Sequence, residues 1–362
     1  MDLAPAALYP EGGASPSRRL IDVRAPVEVA RGALPGALPL PLLTDDERHA
    51  VGLRYAEAGQ DAAMALGWAL AGPHLPERTA AWRSVVAAGP TAVACWRGGL
   101  RSRLTVDLID RPDVARVVGG YKAIRTLLAR GLDAQIARHD VVVVTGLTGA
   151  GKTDFLVALQ GAPGTTVLDL EGLAHHRGSA FGAEDAPQPA QATFENAVGA
   201  ALRLAPSSLV VVEDESRWVG RRTLPEALHA AMFAAPRIVL ETSDAERIGR
   251  LYQGYVREPT ARHGAAATQA RLLGDLARVR KRLGGARHDA IRDLVEVATG
   301  DWHEPDAHAP WIGALLSEYD DPLYRKAGAR APRTVLARGD ADELRAFLSA
   351  RAAAAPAVGS PP

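Results

Sequence analysis

The run Asp140-Val141-Val142-Val143-Val144-Thr145 passes without interruption into Gly146-Leu147-Thr148-Gly149-Ala150-Gly151-Lys152-Thr153. Successive β-branched residues predict a strand buried on both faces, the kind found in parallel sheets. The apolar positions Leu156, Val157 and Leu159 predict a helix immediately afterwards. A glycine-rich turn between such a strand and helix lets backbone amides wrap an anion, and the helix N-terminus adds partial positive charge. The whole matches the Gly-x-x-x-x-Gly-Lys-Thr phosphate-binding pattern in its required context. Gly146, Gly149 and Gly151 shape the loop, Lys152 is expected to neutralise the distal phosphate, and Thr153 to ligate magnesium. Such a loop recognises a diphosphate without saying what is attached to it.

Further strands are expected at Thr165–Leu170, Ser208–Val212 and Arg237–Glu241, alternating with helices, which implies a parallel sheet with right-handed crossovers. The strand ending at Val212 runs into Glu213-Asp214-Glu215. A carboxylate at the end of a buried strand beside the phosphate loop is where a second magnesium contact belongs, so Glu213 and Asp214 are candidates, with Asp169 as further support. The segment His175-His176-Arg177-Gly178-Ser179 carries two adjacent histidines. Neighbours on a loop seldom converge on one ion, so zinc is not expected. His176, Arg177 and Ser179 are expected instead to contact an anionic substrate, and Gln191 and Asn196 to offer amides to a base or sugar.

A second centre of chemistry surrounds the only cysteine, in Cys95-Trp96-Arg97-Gly98-Gly99-Leu100-Arg101-Ser102, directly after the apolar run at 91–94. With strands at 20–23 and 115–118, a proline-punctuated loop at 33–41, and helices near 45–71, 76–88 and 101–109, this is a small α/β domain. Its functional loops are expected at the carboxyl ends of strands. Cys95 is the candidate nucleophile. Arg97 and Arg101 are expected to bind an oxyanion in a cradle formed by Trp96, Gly98, Gly99 and Ser102, the arrangement of a rhodanese-type site. Five residues separate Cys95 from Arg101, one more than in the common sulfurtransferase loop and equal to the spacing in cysteine-dependent phosphatases. A wider cradle admits a tetrahedral anion. With no second thiol, any persulfide on Cys95 must be released by substrate or by an external thiol.

A length of 362 residues implies two or three domains. The expected fold class is α/β: a rhodanese-like domain at 1–135, a P-loop NTPase-like parallel-sheet domain at 136–246, a basic helical region at 247–350, and a disordered tail at 351–362. Lys and Arg balance Asp and Glu at 42 each, so overall charge does not argue for nucleic acid. Residues 247–292, however, carry eleven Arg/Lys against three acids. Clustered cations favour a phosphate-rich partner through counterion release, and Arg278, Arg280, Lys281 and Arg282 are the candidates to meet it. With no signal-peptide pattern and no long apolar run, a cytoplasmic protein without membrane contact is expected.

In this order the motifs resemble bacterial tRNA 2-selenouridine synthases. The resemblance extends to Asp22-Val23-Arg24-Ala25-Pro26-Val27-Glu28, Asp46-Glu47-Arg48, Gly119-Gly120-Tyr121-Lys122-Ala123, Phe194-Glu195-Asn196 and Tyr319-Asp320-Asp321-Pro322-Leu323-Tyr324. It implies a transferase that replaces the sulfur of 2-thiouridine at the tRNA wobble position with selenium from selenophosphate, after S-geranylation by geranyl diphosphate. The phosphate loop would then hold the prenyl diphosphate with Lys152 and magnesium, and Cys95, Arg97 and Arg101 would serve selenium transfer. A selenophosphate-supplying enzyme is an expected partner. Two alternatives remain from the residues alone: a sulfurtransferase or thiol phosphatase fused to an ATPase, and a non-catalytic tRNA-binding protein.

Overall fold

Thr91–Ala94 is buried along its whole length, because small and β-branched side chains let it sit at the centre of a covered sheet. The computed structural model describes residues 1–176, 187–298, 302, 304–330 and 333–354. They divide into two compact units, Met1–Arg138 with Pro189–Pro206 and His139–Gln188 with Ser207–Pro362.

In the first unit, β1 (Asp2–Leu3), β2 (Arg19–Asp22), β3 (Ala37–Pro39), β4 (Thr91–Ala94) and β5 (Val114–Val117) form a sheet in the order β1-β5-β4-β2-β3. All four pairings are parallel, and Asp22 is in register with Ala94. The loops leaving β2 and β4 therefore emerge side by side. The helix Asp45–Ala71 opens with a reciprocal cap: Glu47 N–H donates to Thr44 Oγ1 at 3.2 Å and Thr44 N–H to Glu47 Oε2 at 2.8 Å. It is interrupted at Gly59, whose φ of 80° and ψ of −172° are not helical. A Cβ on Gly67 would lie 3.7 Å from Val51 Cγ2. In a straight helix those positions would stand roughly 24 Å apart, so the chain doubles back at Gly59.

The helix Gln191–Leu204 also belongs to the first unit. The expected 136–246 domain is thus divided in space. Phe194 and Val198 are fully buried, Ala200 joins the apolar cluster of Leu128, Ile124 and Tyr9, and Arg203 Nε donates to the Tyr9 carbonyl at 2.6 Å. Packing of one helix face overrides sequence order.

In the second unit, β6 (Asp140–Thr145), β7 (Thr165–Leu168), β8 (Leu209–Glu213), the hairpin β9 (Trp218–Val219) and β10 (Arg222–Thr223), β11 (Arg237–Leu240) and β12 (Val335–Gly339) follow in sequence. The main sheet is parallel with order β12-β11-β6-β8-β7. The chain runs from β6 to the edge strand β7, returns to β8, then crosses to β11. That change of direction makes a crevice at the carboxyl ends of β6 and β8.

Two expectations are corrected here. The region 247–350 is not helical throughout, because Val335–Gly339 adds an edge strand beside β11. The helix Ala341–Ala354 takes in residues 351–354 of the expected tail; Leu344 and Leu348 bury against the sheet and Arg351 pairs with Asp140 at 2.7 Å. Residues 355–362 lie outside the described ones. The helices from Asp244 to Asp320 share a core that includes Tyr252, Val256, Leu276, Trp311 and Ile312. Among the described residues no helix is long and apolar enough to cross a membrane.

Candidate functional site

At the crevice of the second unit, Gly149 and Gly151 take positive φ values of 79° and 88°, as a loop wrapped around an anion requires. The helix Lys152–Leu159 starts directly after them. Lys152 Nζ donates to the Gly146 carbonyl at 2.9 Å. Burial holds its ammonium below the ordinary lysine range, against the opposing pull of Glu171, Glu215, Asp214 and Glu213. Thr153 Oγ1 donates to Glu171 Oε2 at 3.0 Å.

The two candidate carboxylates after Val212 separate clearly. Glu213 is buried, accepts from the Glu171 N–H at 2.7 Å through Oε1, and its Oε2 has no hydrogen-bond partner. Burial first, and then Asp169 and Glu171, push its pKa up to about 8. Glu215 is pushed up to about 9 by burial and by Glu171 and Glu213. Asp214 is turned toward Thr145 Oγ1 at 2.8 Å and Arg333 at 3.2 Å. Asp169, expected as magnesium support, uses Oδ1 to cap the helix Leu170–Ala174 at the Gly172 N–H, 2.7 Å away.

Residue-by-residue reading missed the clamp on this loop. Arg247 is buried, donates to the Thr148 carbonyl at 2.8 Å, and pairs with Asp321 at 2.6 Å and Asp244 at 2.8 Å. Arg250 donates to the Ala150 carbonyl at 3.3 Å. Asp320 hydrogen-bonds Thr148 and is pushed up to about 7 by burial and by Asp321. The Tyr324 hydroxyl meets that of Thr145. The signal was the Asp320-Asp321 pair that follows the apolar Leu315-Leu316, within the Tyr319–Tyr324 segment that carries the resemblance.

The first unit builds the thiol loop. Cys95 is 3% exposed, and its Sγ lies 3.2 Å from Ser102 Oγ, which donates to the Gly99 carbonyl at 3.0 Å. The loop ends at the N-terminus of the helix Leu100–Ile109. Gly120 must lack a side chain, since a Cβ there would lie 2.1 Å from the Cys95 carbonyl oxygen. Its neighbour Gly119, at a φ of 73°, would bring a Cβ within 2.5 Å of Ala123 Cβ. Trp96 stacks on Tyr121 at 5.1 Å, and the buried Arg24 lies over the Tyr121 ring at 3.8 Å while pairing with Asp22 at 2.6 Å. Trp96 is thereby held flat against Tyr121.

Arg101 is placed differently from expectation. Its guanidinium grips Glu28 with contacts of 2.5 and 3.1 Å, so a carboxylate already occupies the partner meant for an oxyanion. Burial works against the charge of Arg101, but Glu28, aided by Cys95 and Asp22, more than offsets it. Arg97 is exposed at the loop surface, and Arg116, unforeseen, donates to the Gly98 carbonyl at 3.0 Å.

The proposed substrate contacts do not converge. His176 lies against Gly220 in the β9–β10 turn. Arg177 and Ser179 fall outside the described residues. Asn196 is a correction: fully buried, it donates to the Ala33 carbonyl at 2.8 Å and accepts from Arg125 at 3.1 Å, which leaves no amide face for a substrate. Gln191 donates to Glu195 at 3.1 Å. Arg278, Arg280, Lys281 and Arg282 are all exposed on the helix Ala265–Leu283, with Arg278 paired to Asp275.

The family model described as the tRNA 2-selenouridine synthase AAA domain matches residues 139–355. A tRNA 2-selenouridine synthase of Shewanella loihica is 39% identical over 351 residues, covering 91% of this chain and 92% of its own. That of Chromohalobacter salexigens is 42% identical over 353 residues, covering 94% and 96%. That of Bordetella bronchiseptica is 43% identical over 350 residues, covering 91% and 93%. A solved structure, the N-terminal domain of a putative ATP/GTP binding protein from Clostridium difficile, covers 35% of this chain and 97% of its own at 25% identity, with a TM-score of 0.31, a likeness too slight to bear on the fold. Matched over residues 139–355 by the family model and nearly end to end by these relatives, the chain belongs to the tRNA 2-selenouridine synthase family.

Proposed function

We propose that this chain replaces sulfur by selenium in a 2-thiouridine at the tRNA wobble position, in two half-reactions served by its two loops. The observation that carries this reading is the pairing, in one chain, of a Gly-x-x-x-x-Gly-Lys-Thr loop ending at Lys152 and Thr153 with a thiol loop in which five residues separate Cys95 from Arg101.

In the first half-reaction the thiocarbonyl sulfur attacks C1 of geranyl diphosphate. The C–O bond breaks, diphosphate leaves, and the N3 proton passes to solvent. Lys152 neutralises the departing charge, with the loop amides around Gly149 and Gly151 as donors. Thr153 Oγ1 and the unpartnered Glu213 Oε2 are hard oxygen donors suited to magnesium, which when bound adds positive charge at the diphosphate. Alkylation turns a poor leaving group into a good one.

In the second half-reaction a selenium nucleophile adds at C2. Water takes the phosphoryl group of selenophosphate as phosphate, selenium bonds to C2, the C–S bond breaks, and geranylthiol leaves with a proton. We read the first unit as rhodanese-like, with Cys95 and Ser102 facing the selenium donor and Arg97 as its accessible cation. Arg101 reaches the anion only by exchanging Glu28 for it.

The test is incubation with thiolated tRNA, geranyl diphosphate and selenophosphate, followed by nucleoside mass spectrometry. S-geranyl-2-thiouridine is expected first and 2-selenouridine afterwards. Steady nucleotide hydrolysis with no change in the nucleoside would favour the sulfurtransferase or phosphatase alternative. Binding with neither product would favour a non-catalytic protein.

A further inference from the structure

The fold-back at Gly59 creates a cavity of about 270 Å³ in the first unit, closed on one side by the helix Leu100–Ile109. Leu43, Val51, Ala63, Met64 and Leu104 line it, and Trp68 stands at 45% exposure on its wall. Its only side chains with strongly polar groups beyond the Tyr55 hydroxyl and the Trp68 indole are Gln60 and Arg101. Leu42, Leu43 and Ala71, which line the cavity, share one apolar cluster with Cys95. The cavity thus adjoins the thiol loop, with Arg101 belonging to both.

A nucleobase would leave most of its polar edge unsatisfied against such walls. A hydrocarbon would not. An apolar cavity of about 150 Å³ accommodates the six carbons of benzene, so by proportion this one accommodates roughly ten or eleven carbons. We infer that the cavity is the seat of the geranyl chain of S-geranyl-2-thiouridine during the second half-reaction, holding the leaving group beside the selenium-transfer loop. This rests on the geranylated intermediate proposed above and adds where its chain is bound.

The test offers the full-length protein RNA stem-loops with S-geranyl- or S-methyl-2-thiouridine at the wobble position, together with selenophosphate. Selenated nucleoside is then quantified. The geranyl substrate is expected to be favoured in kcat/KM by roughly a hundredfold or more, since each buried methylene is worth about fourfold. Ala63→Phe, whose ring fills much of the cavity, should erase that preference. Equal kcat/KM for the two substrates in the unmodified protein, or an undiminished preference in a folded Ala63→Phe, would overturn the assignment. Geraniol titration read by tryptophan fluorescence decides separately. A saturable change that is lost in Trp68→Phe is expected, and no change would refute the cavity whatever the reaction does. Saturable geraniol binding without selenation of either alkylated RNA would instead refute the intermediate and leave the apolar seat standing.

Discussion

Arg247, from the helix Asp244–Tyr252, donates at 2.8 Å to the carbonyl of Thr148 inside the phosphate loop. The loop is thereby fastened to a helix nearly a hundred residues downstream. Arg247→Ala strands Asp321, now buried without its cation, and is expected to cost about 3–5 kcal/mol. Urea unfolding checks this. Arg247→Lys should recover little, because one ammonium cannot serve Thr148, Asp244 and Asp321 in the geometry of a guanidinium.

Lys152→Ala should stop geranyl transfer while leaving selenation of pre-geranylated RNA intact, because only the first step releases diphosphate. A loss of the order of a hundredfold or more is expected for removing a charge-assisted contact to the leaving group. Single-turnover assays on each half-reaction would reveal whether both fall together, an outcome incompatible with separate loops.

Cys95→Ser should show the reverse, with geranylated tRNA accumulating and 2-selenouridine undetectable. Ser102→Ala is expected to be milder, since the hydroxyl contacts the sulfur without replacing it. Nucleoside profiles of the two variants compared with the unmodified protein give the order of effects.

Asp320 sets a pH dependence. Burial and Asp321 push its folded pKa up to about 7 from the ordinary aspartate value of 3.8, so between those values the folded state holds a proton that the unfolded state has lost. Stability therefore falls as pH rises through this window and levels off above about 7. An ionised Asp320 also repels diphosphate near Thr148, so affinity for inorganic diphosphate should weaken as pH rises through the same range. Calorimetry on Asp320→Asn should find both slopes reduced.

tRNA affinity should fall steeply with added salt. Replacing Arg280, Lys281 and Arg282 by alanine should reduce the slope of log affinity against log salt by about one for each cation that meets a phosphate. Filter binding at several salt concentrations measures it, and an unchanged slope would move the tRNA surface elsewhere.

The chemistry-bearing loops were legible in the sequence because their determinants are local. The valine run, the glycines and Lys152 lie within fourteen residues, as do Cys95, its glycines and Ser102 within eight. The choice between Glu213 and Asp214 was not, since it depends on pairing: Val144 lies opposite Glu213, and Asp214 continues past the strand to meet Thr145. β12 escaped because an edge strand with Arg338 at its exposed side lacks a continuous apolar run. Asn196 looked like a ligand for the same reason that it serves as a buried bracket, because a primary amide both donates and accepts. The exchange of 189–206 into the first unit follows from which surfaces Phe194 and Val198 can cover, and residue spacing carries no record of that.

Because Cys95 is the chain's sole sulfhydryl and is buried, thiol-directed reagents have one address on the protein. The rate at which a maleimide consumes that group is a clock for the opening of the cradle. The same tracer, run with each RNA in turn, would time when the thiol loop admits its guest.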